Sequence, residues 1–161
     1  MDIPVHRITL AFPGKIERDF QESYKSTTVI QSRRALLLGF FFYGIFGILD
    51  YFLFPGTFTR IWVVRFGAVL PVMGVTFALT YTRTFHRYYQ HILTLLVLVA
   101  GGGLYVMFVL AGGRIHELYY VGFILIFFFA YTFIGLRFIW ATVSGALLIC
   151  LYGVFNAVFF E

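Results

Sequence analysis

Two charged residues, Asp50 and Arg65, are the strongest candidates for chemistry in this sequence, because each lies inside an otherwise apolar stretch. An ionisable side chain surrounded by hydrocarbon is costly, so such residues are usually paired or functional. Asp50 lies about four residues before the end of one stretch and Arg65 about four after the start of the next, which places both about 6 Å below the same surface. We expect a salt bridge, or a water-filled pocket containing one. A structural clip, a ligand or ion site and independent snorkelling all stay open as roles.

The other residues that often carry chemistry do not form a recognisable set. The four histidines, His6, His86, His91 and His116, fall in the leader or in connections, whereas a haem or metal site would need a pair at matched depth on facing helices. The sequence also lacks a phosphate-binding glycine loop, paired catalytic carboxylates and a Ser/His/Asp set. We therefore predict no catalytic residue, no metal site and no cofactor.

The composition indicates an integral membrane protein. Hydrophobic residues make up 61% of the chain and charged residues 12%, whereas soluble domains average about 45–50% and about 25%. A bilayer-crossing helix needs about 20 apolar residues. The sequence predicts an all-α, polytopic transmembrane helical bundle in two parts: residues 1–34, a cytoplasmic leader with a short amphipathic helix, and residues 35–161, the transmembrane domain. The predicted spans are residues 35–54, 61–80, 92–111, 118–135 and 138–160.

The distribution of basic residues predicts a cytoplasmic amino terminus. The leader, the second connection and the fourth connection carry most of the Lys and Arg, and cytoplasmic segments are enriched in these residues. The net charge of +5 is explained by this topology, so we predict no nucleic-acid partner. The lipid bilayer is the predicted partner, through contacts of anionic lipid with basic side chains at the inner surface. These side chains are Arg33, Arg34, Arg83, Arg87 and Arg137.

Two further features bear on assembly. Five crossings from a cytoplasmic start would leave Glu161 outside, so a cytoplasmic domain on the same polypeptide would require a sixth span beyond it. Small residues four apart, which permit close helix approach in lipid, occur at Gly74 and Ala78 and at Ala141 and Gly145. They predict helix packing within the chain or in a homodimer.

Several short patches resemble the amino-terminal membrane domain of bacterial membrane-bound class III adenylate/guanylate cyclases. The resemblance covers about residues 15–155 and implies a module that normally has six helices, followed by a cytoplasmic signalling helix and a dimeric cyclase domain. The sixth helix and the catalytic domain are not among these residues. The patches are residues 34–39 (RALLLG), 47–50 (GILD), Pro55, 61–66 (IWVVRF), 119–122 (YYVG) and 131–138 (YTFIGLRF).

The resemblance implies a membrane anchor and sensory or regulatory module in the bacterial inner membrane, serving a signalling enzyme that makes cyclic AMP or cyclic GMP. The signalling domain would act in cis or in trans. An alternative is a small transporter or channel subunit that uses the Asp50 and Arg65 region as a gate or substrate contact, although polar residues across the membrane midplane are sparse. A purely structural membrane tether is a third hypothesis.

Overall fold

The fold is all-helical in the residues that the computed structural model describes, which are 14–112 and 116–159. Side chains are described within 28–112 and 120–154. This confirms the all-α class. The five helices are α1 (Gly14–Leu53), α2 (Phe58–Leu79), α3 (Arg83–Leu110), α4 (His116–Thr132) and α5 (Phe138–Phe159).

Helix α1 is a single element of 40 residues, about 60 Å long at 1.5 Å per residue. The sequence predicts a short leader helix before a span that begins at residue 35, whereas the structure has one unbroken helix. The physical reason is that no proline or glycine interrupts residues 15–38, so the backbone ladder continues without a break. The predicted leader before Gly14 lies outside the described residues.

Helix α2 contains a π-helical turn at Arg65–Val69, between α-helical segments Phe58–Val64 and Leu70–Leu79. The Leu70 N–H donates to the carbonyl of Arg65, five residues earlier. Pro71 explains the position of this turn. Proline has no N–H to donate, and its ring crowds the carbonyl four residues before it. A wider turn just ahead of the proline relieves that crowding, and it places Arg65 at the start of the turn.

Three helical segments among the described residues are long and apolar enough to cross a membrane: Thr28–Leu53, Phe58–Leu79 and Arg83–Leu110. Two shorter apolar segments, Tyr120–Thr132 and Phe138–Val154, lie where the last two spans are predicted. Many large apolar side chains, such as Phe52 and Val63, are exposed on the surface of the bundle. These properties indicate a membrane protein, since lipid is a suitable solvent for such a surface.

Helix α3 is the centre of the bundle, in contact with α2, α4 and α5, while α1 packs on α2. Its side chains Phe85, Leu93 and Met107 are fully buried. The helices run alternately up and down, so the bundle has two ends. We call the end with the α1–α2 turn at residues 54–57 the pair end. The opposite end, with the connections at residues 80–82 and 133–137, is the clamp end.

Candidate functional site

The structure brings Asp50 and Arg65 together at the pair end. Arg65 Nε donates to Asp50 Oδ2 at 2.7 Å and Arg65 Nη2 donates to Asp50 Oδ1 at 3.1 Å, which is the two-pronged geometry that a guanidinium and a carboxylate prefer. Asp50 is 5% exposed and Arg65 is 2% exposed. Such burial makes the two charges interdependent, because either one alone would be an uncompensated charge in an apolar setting.

Tyr43, about two turns before Asp50 on α1, completes the surroundings of the guanidinium. Arg65 Nη1 donates to the Tyr43 carbonyl at 3.1 Å, and the guanidinium carbon lies 4.8 Å from the centre of the Tyr43 ring. The Tyr43 hydroxyl in turn donates to the carbonyl of Ala100 on α3 at 3.3 Å. Arg65 is therefore connected to both α1 and α3.

A second contact between α1 and α2 lies beside the ion pair. Trp62 Nε1 donates to the carbonyl of Gly47 at 2.8 Å. A Cβ atom added at Gly47 would lie 2.7 Å from the Phe66 ring, so the glycine lets this ring lie against α1. The sequence gives no direct sign of the Trp62 contact, because a tryptophan at a span end is equally typical of the lipid interface.

An apolar groove runs along α1 from the ion pair toward the clamp end. It lies between α1 and α4, with α3 as its floor, and its α1 lining spans residues 39–53, about 21 Å at 1.5 Å per residue. The groove is half open and has a cavity volume of about 110 Å³. Besides Asp50 and Arg65, its lining includes Phe42, Tyr43, Phe46, Leu49, Leu53, Met73, Leu96, Val97, Ala100, Leu104, Leu125, Ile126, Phe129 and Ile134.

The clamp end is held by uncharged side chains that bind backbone groups of the α4–α5 connection. From α1, Ser32 Oγ donates to the Ile134 carbonyl at 2.8 Å. From α3, Gln90 Nε2 donates to the Gly135 carbonyl at 3.4 Å, and its Oε1 accepts from the Arg137 N–H at 3.0 Å. Gly135 has φ +78°, and an added Cβ would lie 2.8 Å from Thr28 Cγ2. The connection is therefore fixed from two sides with no spare room.

The predicted lipid-contacting arginines differ in their surroundings. Arg33 donates from Nε to Thr80 Oγ1 at 3.0 Å and from Nη2 to the Thr80 carbonyl at 2.8 Å, and it stacks over Tyr81. A cation at a helix carboxyl terminus is favourable, which accounts for this protein contact. Arg33 is partly exposed, so its lipid contact stays a prediction. The other four side chains are exposed and stay available for lipid: Arg34, Arg83, Arg87 and Arg137.

The predicted small-residue pairs also differ. Ala141 and Gly145 are buried, and a Cβ added at Gly145 would lie 3.1 Å from the Phe127 ring of α4. At Gly74 an added Cβ would meet nothing within 4 Å, and Ala78 is exposed. The pair in α5 therefore packs against a neighbouring helix of this chain, whereas the pair in α2 faces away from the described helices.

The chemistry that this site offers is hydrogen bonding and charge beside an apolar surface. The ion pair supplies hydrogen-bond donors and acceptors beside an apolar surface, which is typical of sites that hold and orient a ligand. Within the described residues no group of three His, Cys, Asp or Glu side chains is placed to hold a metal ion. Sequence reasoning identified the ion pair but missed Tyr43, Ser32 and Gln90. These side chains are uncharged, so their position in an apolar stretch does not have the high free-energy cost that draws attention to Asp50 and Arg65.

Comparisons with known proteins identify no family or curated relative for this chain. The chain matches no protein-family model, and a search of curated proteins finds no relative.

Proposed function

We propose that this chain is the membrane anchor and sensory or regulatory module of a signalling enzyme. The single observation that carries the proposal is the unbroken helix α1, which bears Asp50 near one end and extends to Gly14 at the other. A helix of about 60 Å is about twice the thickness of the hydrocarbon core. A shift at the groove would therefore move a segment that projects well beyond the membrane.

The proposed arrangement has five crossings and a cytoplasmic amino terminus in the bacterial inner membrane. The clustering of Lys and Arg supports this orientation, because cytoplasmic segments carry more basic residues. It places the clamp end in contact with the cytoplasmic lipid surface and the pair end toward the outside. The exposed arginines of the clamp end then lie where anionic lipid is available.

The proposed output is a class III nucleotidyl cyclase domain that acts in cis, through a sixth span, or in trans. The sequence resemblance in residues 34–66 and 119–138 is the basis for this choice. Such enzymes work as dimers, so a homodimer of this module is part of the proposal. A signal can change the output only by favouring one of two helix arrangements, and the half-open groove beside α1 provides a place where such arrangements would differ.

The proposal is tested by following cyclic nucleotide production in membranes from cells that express the complete reading frame containing this chain. We expect Asp50→Asn to change the rate of cyclic AMP or cyclic GMP formation severalfold at equal protein abundance. Arg60→Gln is the matched control, because it removes an exposed charge from the same hairpin. A reading frame that ends at Glu161 with no cyclase encoded nearby would remove the proposal's support, and an unchanged rate in Asp50→Asn would refute the sensory part.

The proposed orientation has its own test. A single cysteine introduced at Lys25 in a Cys150→Ala background should react with a membrane-impermeant thiol reagent only after the cells are opened. A cysteine introduced at Pro55 should react in intact cells. The reverse pattern would place the clamp end outside and contradict the proposed topology.

A further inference from the structure

The groove beside α1 has a polar end and an apolar length, and we infer that it binds an uncharged single-chain amphiphile, with a hydroxyl or amide head group at Asp50 and Arg65. This inference deepens the proposed sensory function by naming the class of ligand. It is carried by three properties of the described residues: the shape of the groove, the hydrogen-bonding capacity of the ion pair, and the net charge of the pair.

The shape of the groove fits one hydrocarbon chain. Its length is about 21 Å along α1. A cavity of 110 Å³ is smaller than the cavity of about 150 Å³ that holds one benzene. The groove can therefore enclose only part of a thin chain, with the rest lying along its open side. A helix, about 10–12 Å across with its side chains, or a lipid with two acyl chains would need a larger enclosed volume.

The ion pair retains hydrogen-bonding capacity toward a ligand. A guanidinium has five N–H donors, and three of those of Arg65 are used, two by Asp50 and one by the Tyr43 carbonyl. Within the described part of the chain, the other two have no hydrogen-bond partner. Each carboxylate oxygen of Asp50 also has a further lone pair. Because both residues line the groove, a hydroxyl there could accept from Arg65 and donate to Asp50.

The net charge of the pair selects an uncharged head group. Asp50 and Arg65 neutralise each other, so an additional carboxylate or ammonium would be buried beside a neutral pair with no counter-charge. Burying an unpaired charge costs far more than burying a hydroxyl that makes its hydrogen bonds. A fatty alcohol, a fatty amide or a monoacylglycerol has the required head, whereas a fatty acid in its ionised form does not.

Binding is measured on the full chain in phosphatidylcholine nanodiscs, with 1-dodecanol, dodecanoate at alkaline pH and dodecane as probes of one chain length. The readout is the midpoint of thermal unfolding, followed by far-ultraviolet circular dichroism, because a ligand that binds only the folded state raises it. The dissociation constants follow from the shifts in this midpoint. We expect 1-dodecanol to bind at least about tenfold tighter than either other probe, since only its hydroxyl is an uncharged head group that can hydrogen-bond to Asp50 and Arg65.

Two variants of neighbouring residues on α1 separate the groove from the membrane. Leu49 lines the groove and is 41% exposed, so Leu49→Trp would fill the groove beside the pair without crowding the core. Ile48 is 58% exposed and lies outside the groove lining, so Ile48→Trp is the matched control. We expect the 1-dodecanol shift to disappear in Leu49→Trp and to persist in Ile48→Trp.

The other outcomes are equally specific. Equal shifts with all three probes would show partition into the bilayer only, and no shift with 1-dodecanol would show that bilayer lipid fills the groove or that nothing enters it. Either result overturns the inference, as would equal behaviour of the two tryptophan variants. If 1-dodecanol binds but cyclic nucleotide output does not respond, the ligand site stands and the sensory proposal fails. If Asp50→Asn alters cyclic nucleotide output while no probe binds, the sensory proposal stands and the ligand site fails.

Discussion

At the pair end, two charged side chains bind each other next to a half-open groove, whereas at the clamp end uncharged side chains bind backbone groups in a closely packed space. Asp50 and Arg65 represent the first arrangement. Ser32, Gln90 and Gly135 represent the second. The buried side chains at both ends make hydrogen bonds, so the difference lies in packing, in charge and in the two N–H donors that Arg65 keeps for a ligand.

This difference indicates which end can change shape. A neutral side chain on a backbone carbonyl fixes a connection in one position, and close packing around Gly135 adds to that restriction. A side-chain pair beside a half-open groove can shift together and stay paired. We therefore expect the pair end to adapt to a ligand and the clamp end to hold the helices in register while it does so.

The largest effect is expected from separating the two charges. Asp50→Ala or Arg65→Ala alone should lower the free energy of unfolding by about 3–5 kcal/mol, because each leaves a buried charge without its partner. The double variant Asp50→Leu with Arg65→Met should be nearly neutral, since it removes both charges together. Unfolding by denaturing detergent in mixed micelles measures these values. A double variant that loses the sum of the single losses would contradict this view of the pair.

A smaller loss is expected from Gly135→Ala at the clamp end. Alanine at φ +78° costs about 1–2 kcal/mol, and the contact of its Cβ with Thr28 adds about 1–3 kcal/mol of overpacking. Gly112→Ala is the matched control, because Gly112 has φ +82° but nothing within 4 Å of an added Cβ. The same unfolding measurement compares them. Equal losses would mean that the clamp end is not tightly packed.

A third comparison tests whether the π-helical turn can move aside. A Cβ added at Gly103 would collide with Val69 of that turn, so Gly103→Ala should cost about 1–3 kcal/mol if the turn is rigid. Gly102→Ala meets nothing and should gain about 0.5–1 kcal/mol from helix propensity. The backbone terms are removed by subtracting the matched controls, Gly102→Ala from Gly103→Ala and Gly112→Ala from Gly135→Ala. If the remaining loss at Gly103 is much smaller than the remaining loss at Gly135, the pair end is the more adaptable one. A larger loss at Gly103 would reverse that conclusion.

The smallest effect is expected from a single neutral hydrogen bond. Ser32→Ala removes the donor to the Ile134 carbonyl and should cost about 0.5–1.5 kcal/mol. Ser144→Ala is the control, because the Ser144 hydroxyl donates to the Ala141 carbonyl within its own helix. Thermal unfolding in the same micelles measures both variants. The difference between their midpoints should be smaller than the difference between either of them and Asp50→Ala. No loss at Ser32 would show that Gln90 alone fixes the connection.

Charge and depth in the sequence were sufficient to anticipate the Asp50 and Arg65 pair. In the predicted spans, Asp50 lies about four residues before the end of one and Arg65 about four after the start of the next, which places them at one depth. In the structure α2 begins earlier, at Phe58, and the two residues still meet. The five apolar stretches likewise predict the five helices, since membrane-length apolar runs have few alternatives. These features depend on local composition and on chain connectivity, which are both visible in a sequence.

The groove and the clamp were not predictable in the same way. Gly74 and Gly145 each lie four residues from an alanine, yet only Gly145 contacts another helix. The spacing of small residues does not show which face of a helix points inward. The sequence predicts lipid contact for Arg33 but gives no sign of its hydrogen bonds to Thr80 at the end of α2. The sequence does not show whether a neutral polar residue such as Gln90 is exposed or buried in a hydrogen bond, since both positions are acceptable for it.

The turn at Arg65–Val69 has a consequence for how this hairpin tolerates changes in length. A π-helical turn accommodates one residue more than the regular ladder, so it behaves as a built-in insertion. Because the wide turn already absorbs the extra residue, deleting one residue there would restore a uniform α-helix while the segments before and after it keep nearly the same relative azimuth. Arg65 and Met73 would then still face the same groove. The extra residue thus relieves the crowding at Pro71 without changing the faces that the two halves of α2 present to their neighbours.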